Sequence, residues 1–215
     1  MLMYEEREQI TKYGLKMVED RLTFGTGGNI SILDRNTGLM AIKPSGIEYA
    51  KIKPEDVVIV DLDGKIVEGK RKPSSELALH IAFYKKRKDV NAVVHCHSIY
   101  CITYAVLGKP LKAVHYVIGS AGVSEIPCAP YATFGTVRLA ELTVEALGDS
   151  KAVLMANHGQ TTCGKTIKDA YSLALCTERL AEISYRAESI GKPNILSEKE
   201  MDDVLFKFNN YGQKE

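Results

Sequence analysis

Three histidines and a glutamate are the residues of this chain whose types and spacing could do chemistry. His95 and His97 form a His-x-His pair at the end of the apolar run Ala92-Val93-Val94. His158 follows a second such run, Ala152-Val153-Leu154-Met155, and Glu76 follows Ser74-Ser75. Side chains alternate along a strand with a period of two, so a His-x-His pair turns both imidazoles to one face. Imidazole nitrogens from two strand ends, joined by one carboxylate, make a donor set suited to a catalytic zinc ion with a position left for substrate. Gly159, beside His158, permits close backbone approach. A glutamate at a helix start is by itself an ordinary partner of the helix dipole; its company makes Glu76 a candidate ligand or base. His80, one turn further on, shares its helix face and is either a competing ligand or a support for the ligands.

A second kind of chemistry is written in small polar clusters. The loop Gly25-Thr26-Gly27-Gly28-Asn29 lets backbone N–H groups approach an anion and adds the Asn29 amide. It is not a phosphate loop of the G-x-x-x-x-G-K-[ST] type, since it leads into a strand. Ser45-Gly46 and Ser74-Ser75 have the same character, and the start of a helix after Ser75 adds exposed N–H groups and the positive end of a dipole. The alternatives are a helix-ending turn for the glycines and plain capping for the serines. Neutral donors suffice for such a seat, with no lysine required. His115-Tyr116 is the remaining polar pair; a tyrosine can donate a proton to a developing alkoxide, and it is also a common strand residue.

These residues must be positioned by ordinary elements. Apolar spacing predicts helices over residues 4–22, about 75–86, 99–107, 136–147, 167–190 and 197–210, the last opened by Ser197 and Glu200 as a capping box. Strands are expected at 30–33 and 39–42 around a turn, at 57–60 and 65–67 around Asp63-Gly64, and at 90–96, 113–117, 123–127, 152–155 and 160–163. Ala170, Ala174, Thr177, Ala181 and Ser184 form a small-residue stripe for close packing on the long helix. Hairpins interspersed with helices favour an α/β fold with a mixed, largely antiparallel sheet covered by helices over a doubly wound parallel one.

The bulk numbers bound the function classes. The 215 residues are 45% hydrophobic and 26% charged, with a formal net charge of +1. That suits one domain over residues 1–215 and gives no electrostatic pull toward nucleic acid or membrane surfaces. Lys70-Arg71-Lys72 and Lys85-Lys86-Arg87-Lys88 read as a solvated loop and a solvated helix end. Five cysteines at irregular spacing, with no C-x-x-C, read as free thiols of a reducing compartment. Cys96 is turned by alternation away from its histidine neighbours and is read as a core thiol. The start of the chain has no apolar signal core and no apolar run is long enough for a membrane span, so a cytoplasmic protein is expected.

Seven segments together resemble the class II sugar-phosphate aldolase/epimerase family, most closely its L-fuculose-1-phosphate aldolase branch. They are residues 25–31, Pro44-Ser45-Gly46, Pro73-Ser74-Ser75-Glu76, 92–97, His115-Tyr116, 126–136 and Asn157-His158-Gly159. The resemblance implies a three-layer α/β/α fold and a homotetramer of four-fold symmetry with sites between subunits. It implies one Zn²⁺ per subunit on His95, His97 and His158, with Glu76 as ligand or base. It places phosphate on Gly28, Asn29, Ser45, Gly46, Ser74 and Ser75, Tyr116 as a proton donor from the neighbouring subunit, and Phe134 and Tyr211 around the aldehyde. Residues from about 205 onward would be a tail able to close over the site. The implied reaction is reversible cleavage of a ketose 1-phosphate, such as L-fuculose 1-phosphate, to dihydroxyacetone phosphate and L-lactaldehyde. 5-Deoxyribulose 1-phosphate and L-rhamnulose 1-phosphate are alternative substrates; 4-epimerisation of ribulose phosphate and dehydration of methylthioribulose 1-phosphate are alternative reactions. A non-catalytic scaffold of the same fold lacks the metal histidines, which are complete here.

Overall fold

Eight strands hydrogen-bond into one sheet whose two faces are each covered by helices, the three-layer α/β/α arrangement expected. The computed structural model describes residues 1–209. In chain order the elements are α1 (Tyr4–Glu19), β1 (Asn29–Asp34), β2 (Leu39–Ile42), β3 (Val58–Asp61), β4 (Ile66–Glu68), α2 (Leu77–Lys86), β5 (Ala92–Cys96) and α3 (Ile99–Val106). Then come β6 (Leu111–Lys112), β7 (Glu125–Ile126), β8 (Cys128–Ala129), α4 (Val137–Leu147), β9 (Ala152–Met155), β10 (Gly159–Gly164), α5 (Ile167–Ile190) and α6 (Glu198–Asn209). The sheet order is β4-β3-β2-β1-β5-β10-β9-β8. Its pairings are antiparallel except β8 with β9, so it is mixed and largely antiparallel.

The sheet sorts its side chains by period two. Along β5, Val93 joins the core under α2 and α4 with Phe83, Tyr84 and Leu139. Ala92, Val94 and Cys96 join the opposite core with Ile10, Met17 and Ala170 of α1 and α5. Cys96 is thus a fully buried core thiol, as alternation predicts. The small-residue stripe of α5 is buried along its length, which lets the helix lie close to β10 and β5. Caps mark the helix starts: Thr136 Oγ1 accepts from Leu139 N, and Thr166 with Asp169 forms a reciprocal capping box. The Ser197–Glu200 box is formed as read from the sequence.

Three expectations about elements are corrected. Helix α1 ends at Glu19, not 22, because Arg21 adopts a left-handed conformation and both Leu22 and Thr23 donate back to Met17 O. The stretch 113–117 is not a strand: Nδ1 of His115 accepts from Val117 N and opens a short 3₁₀ helix, Tyr116–Ala121. Pairing there is confined to β6 with β7, while Cys128–Ala129, beyond the predicted strand 123–127, adds the parallel edge strand β8.

The central core has no slack, and a cavity made in it should be costly. Phe83, with no exposed surface, packs from α2 onto the sheet. Phe83→Ala should lower the unfolding free energy by about 3–5 kcal/mol. Ile66→Ala, on the edge strand β4 where the side chain is 46% exposed, should change it by less than about 0.5 kcal/mol. Urea titration of the two variants checks the contrast.

Candidate active site

The register of three central strands builds the floor of the site. Asn29 of β1 and Thr161 of β10 both stand opposite His95 of β5. Opposed residues share a sheet face, so an amide, an imidazole and a hydroxyl form one polar row on the α2 side. Two close approaches make this possible. A Cβ on Gly28, whose φ is +67°, would lie 2.7 Å from His95 O, and Gly159 has no room for one against Cys96 O. His158 sits in the β9–β10 turn, where Asn157 takes a left-handed conformation with φ 57°.

Four predicted residues converge there. His95 Nε2 lies 3.0 Å from His97 Nε2 and 3.1 Å from Glu76 Oε2. Glu76 Oε1 lies 3.4 Å from His158 Nε2. Each of the three imidazoles offers one nitrogen, and those nitrogens all lie within 4.8 Å of one another. Glu76 immediately precedes the first residue of α2, held by Ser74 Oγ, which accepts from Glu76 N at 3.2 Å.

The protonation states follow from the partners. His95 Nδ1 faces Gln160 O at 2.9 Å. A carbonyl only accepts, so Nδ1 carries the hydrogen and Nε2 is left to face Glu76 and His97. Burial works against a second proton on His95, but the charge and hydrogen bond of Glu76 outweigh it and raise the imidazole above its ordinary value. Burial likewise works against the Glu76 anion, and is outweighed by the charge and hydrogen bond of His95, then by His158 and the Asn29 amide. The carboxyl is therefore held far below its usual range. Burial, with the charges of His95 and His158, pushes His97 down to about 3. Burial and the charge of His95 push His158 down to about 4. Neutral imidazoles with free lone pairs are the form that binds metal. Glu76 Oε1 is buried without a hydrogen-bond partner among the described residues. A divalent cation fits this set, since it would separate nitrogen and oxygen donors that otherwise face one another across about 3 Å.

Glu76, His97 and His158 edge a cavity of about 460 Å³. All six residues expected to hold phosphate line it: Gly28, Asn29, Ser45, Gly46, Ser74 and Ser75; Phe134 lines it too. Two distant loops are clamped together here. Pro44 bridges to Pro73, Ser45 N donates to Lys72 O, and Ser74 N donates to Lys43 O. Ser74 thus holds the turn leading into α2 through Glu76 N, and it also lines the cavity. His80 is not among the clustered donor atoms; it lies behind Asn29, fully buried.

Lys43, unassigned in the sequence analysis, adds an ammonium group to the cavity wall. Its side chain, only 2% exposed, reaches the cavity wall, donates to Thr26 O at 3.0 Å and lies 4.6 Å from the Tyr49 ring centre. No carboxylate among the described residues pairs with it. The signal was a lysine at the end of an apolar strand, one residue from the Ser45-Gly46 cluster. Thr26, Gly27, Tyr131, Ala132 and Asn157 also line the cavity without having been assigned. Tyr116 does not reach it within one chain: it is 57% exposed, stacks on His115 and edges a separate surface cavity with Val117, Val204 and Phe208. Tyr211 lies outside the described residues.

Known proteins carry the same fold and length. The sequence profile described as the Class II Aldolase and Adducin N-terminal domain matches residues 8–185. The chain is 52% identical, over the full length of both sequences, to the 5-deoxy-D-ribulose 1-phosphate aldolase of Bacillus thuringiensis. It is 42% identical to the L-fuculose phosphate aldolase of Escherichia coli K12, covering 95% of this chain and 94% of that one. A solved L-fuculose 1-phosphate aldolase superposes with a TM-score of 0.95 at 40% identity, over 97% and 98% of the two chains. The chain belongs to the class II aldolase family, lyases that use a divalent metal, and within it stands close to the fuculose-phosphate aldolases.

Lys43 gives the cavity a titratable character. Desolvation by burial lowers its ammonium to about 8, so the positive charge is present below that pH and lost above it. Affinity for inorganic phosphate, measured by calorimetry, should fall as pH rises past about 8. Lys43→Met should weaken binding about 10-fold at pH 7, the order of one charge-assisted hydrogen bond. Affinity that holds to pH 10 would show that the ammonium keeps its proton.

Proposed function

We propose that this protein is a zinc-dependent aldolase that reversibly cleaves a ketose 1-phosphate to dihydroxyacetone phosphate and a short aldehyde. The observation that carries the reading is the meeting, at the edge of one cavity, of a cluster of three imidazoles and a buried carboxylate with a wall of small polar residues and an ammonium that has no carboxylate partner among the described residues. His95, His97 and His158 would hold the metal, with Glu76 beside them. A divalent ion bound there supplies Lewis-acid polarisation of a substrate carbonyl.

The other roles belong to the chain itself. Gly28, Asn29, Ser45, Gly46, Ser74 and Ser75, with Lys43, take the phosphate and fix the three-carbon end. Glu76, poised next to the imidazoles, takes the proton from the hydroxymethyl carbon. In the direction of bond formation, Tyr116 of an adjacent subunit delivers a proton to the new alkoxide oxygen. In cleavage it recovers that proton. Its exposure, its separation from the cavity of its own chain and the exposed Phe134 at the rim support an assembly, a four-fold homotetramer, that completes the site between subunits. Phe134 and Tyr211 would meet the aldehyde. We place the protein in the cytoplasm, and among the described residues no helix is long and apolar enough to cross a membrane.

Two aldehydes compete. The sequence motifs favour L-fuculose 1-phosphate, which yields L-lactaldehyde. The full-length relative at 52% identity is called a 5-deoxy-D-ribulose 1-phosphate aldolase, and that name favours acetaldehyde as the product.

Rates of dihydroxyacetone phosphate release from L-fuculose, L-rhamnulose and 5-deoxyribulose 1-phosphates will rank the substrates. Epimerisation of ribulose 5-phosphate without free aldehyde would replace the aldolase reading. Elemental analysis should find one zinc per chain; exhaustive chelation should abolish cleavage and zinc should restore it, while His97→Ala loses metal and turnover together.

The two half-reactions separate the roles. Tyr116→Phe should slow cleavage by on the order of 10²-fold or more, while proton exchange on dihydroxyacetone phosphate alone persists, because nothing that binds or deprotonates it is altered. Dilution that dissociates the assembly should lose cleavage first. Equal loss of both reactions would move Tyr116 to the deprotonation step.

A further inference from the structure

Behind the site runs a buried polar chain for which the proposed reaction has no stated use. Tyr84 Oη lies 2.6 Å from Ser31 Oγ, and Ser31 Oγ lies 2.6 Å from His80 Nδ1. His80 Nε2 lies 2.5 Å from Asn29 Oδ1, and Asn29 Nδ2 lies 3.0 Å from Glu76 Oε2. Ser31 and His80 have no exposed surface, nor does Tyr84, and Asn29 has 4%.

The direction of every hydrogen bond in the chain is determined. An ionised carboxylate only accepts, so the NH₂ of Asn29 must face Glu76 and its carbonyl must face His80. A carbonyl also only accepts, so His80 Nε2 carries a hydrogen, and complete burial keeps the ring neutral, which leaves Nδ1 bare. The Ser31 hydroxyl then donates to Nδ1, and its oxygen accepts from the Tyr84 hydroxyl. Donors thus run inward from Tyr84 to Glu76 and polarise one another in the same sense. Reversing any member would leave two acceptors or two donors in contact in a place without water. The chain ends on one carboxylate oxygen only. The other, Oε1, is buried, has no hydrogen-bond partner among the described residues and lies toward His158 at the cavity edge.

We propose that Tyr84, Ser31 and His80 are positioning residues of the deprotonation step, holding the Asn29 amide so that Glu76 is pinned through Oε2 and presents Oε1 as the proton acceptor. The carboxylate keeps one orientation because the amide that anchors it cannot flip. The proton from the substrate carbon then has a single, preformed destination. The inference rests on Glu76 as the base, and the experiment tells the two apart.

The measurement is deuterium exchange at the hydroxymethyl carbon of dihydroxyacetone phosphate by the zinc-loaded full chain, with zinc content and the dissociation constant of that ligand determined alongside. His80→Leu removes the donor to Asn29 at similar volume. Exchange should fall about 10- to 100-fold, with one zinc per chain retained and ligand affinity within about twofold of wild type. His80→Gln, which can donate to Asn29 and accept from Ser31, should recover most of the rate. Tyr84→Phe deletes only the outermost donor and should slow exchange about 2- to 5-fold, as expected of a link that acts only through its neighbours. Wild-type exchange in His80→Leu, alongside exchange abolished in Glu76→Gln, overturns the positioning chain and leaves the base in place. Wild-type exchange in Glu76→Gln overturns the base reading and the positioning chain with it. If His80→Leu does not fold, Tyr84→Phe decides: exchange at the wild-type rate in that variant overturns the proposal. His80→Gln as slow as a folded His80→Leu also overturns it, since the ring's packing and not its donor would then be what matters.

Discussion

A carboxylate with 5% of its surface exposed stays ionised only if the protein replaces the water it has lost. The centre of this molecule is arranged around doing so for Glu76. One oxygen receives the Asn29 amide and faces His95; the other faces His158. Each partner is itself held from outside, His95 by the Gln160 carbonyl and Asn29 by His80. Removing any of these groups leaves an unpaired charge or dipole in a place that water does not reach.

The sheet makes this tolerable by keeping its polar and apolar work apart. Strands β1 and β5 devote the face toward α1 and α5 mainly to aliphatic packing, and β10 ties itself to α5 through Gln160 and Thr162, which donate to Ala174 O and Ala170 O. On the opposite face Leu33, Val93 and Cys163 are apolar at one end, and Asn29, His95 and Thr161 form the polar row at the other. Thr161 also donates to Met155 Sδ, so even the row's outer member is partnered. The apolar end supplies the stability on which the polar end depends, since helix α2 is anchored by Leu79 and Phe83 one and two turns beyond Glu76. Glu76 is thus fixed to the same helix that fills the core.

The wall of serines and glycines is set by a different device. Backbone bonds between residues 43–45 and 72–74 draw two loops into a short clamp, and the serines and glycine on it face the cavity. Among the described residues, Lys43 has a carbonyl and a ring as partners and no carboxylate. A buried ammonium without a counter-charge is unfavourable. Glu76, His97 and His158 border the same cavity as Lys43, Ser45 and Ser74 of the clamp.

Much of this was legible in the chain itself. Strand alternation alone put His95 opposite in sense to Cys96, and helical spacing put His80 on the face of Glu76; both hold in the structure. The α5 boundaries and its buried small-residue stripe were readable because they depend on neighbours in sequence. His115 was misread because a local side-chain bond to Val117 outcompeted the strand pattern around it. What the tertiary structure alone decided was which distant segments meet. The register that sets Asn29 and Thr161 beside His95, the clamp that turns Lys43 into the cavity, and the path from Tyr84 through Ser31 to His80 each join residues far apart in the chain. Periodicity specifies the face a side chain takes within its own element. Which residue stands opposite it is chosen by the packing of the whole sheet, where a shift of one residue would turn every side chain of a strand to the other face.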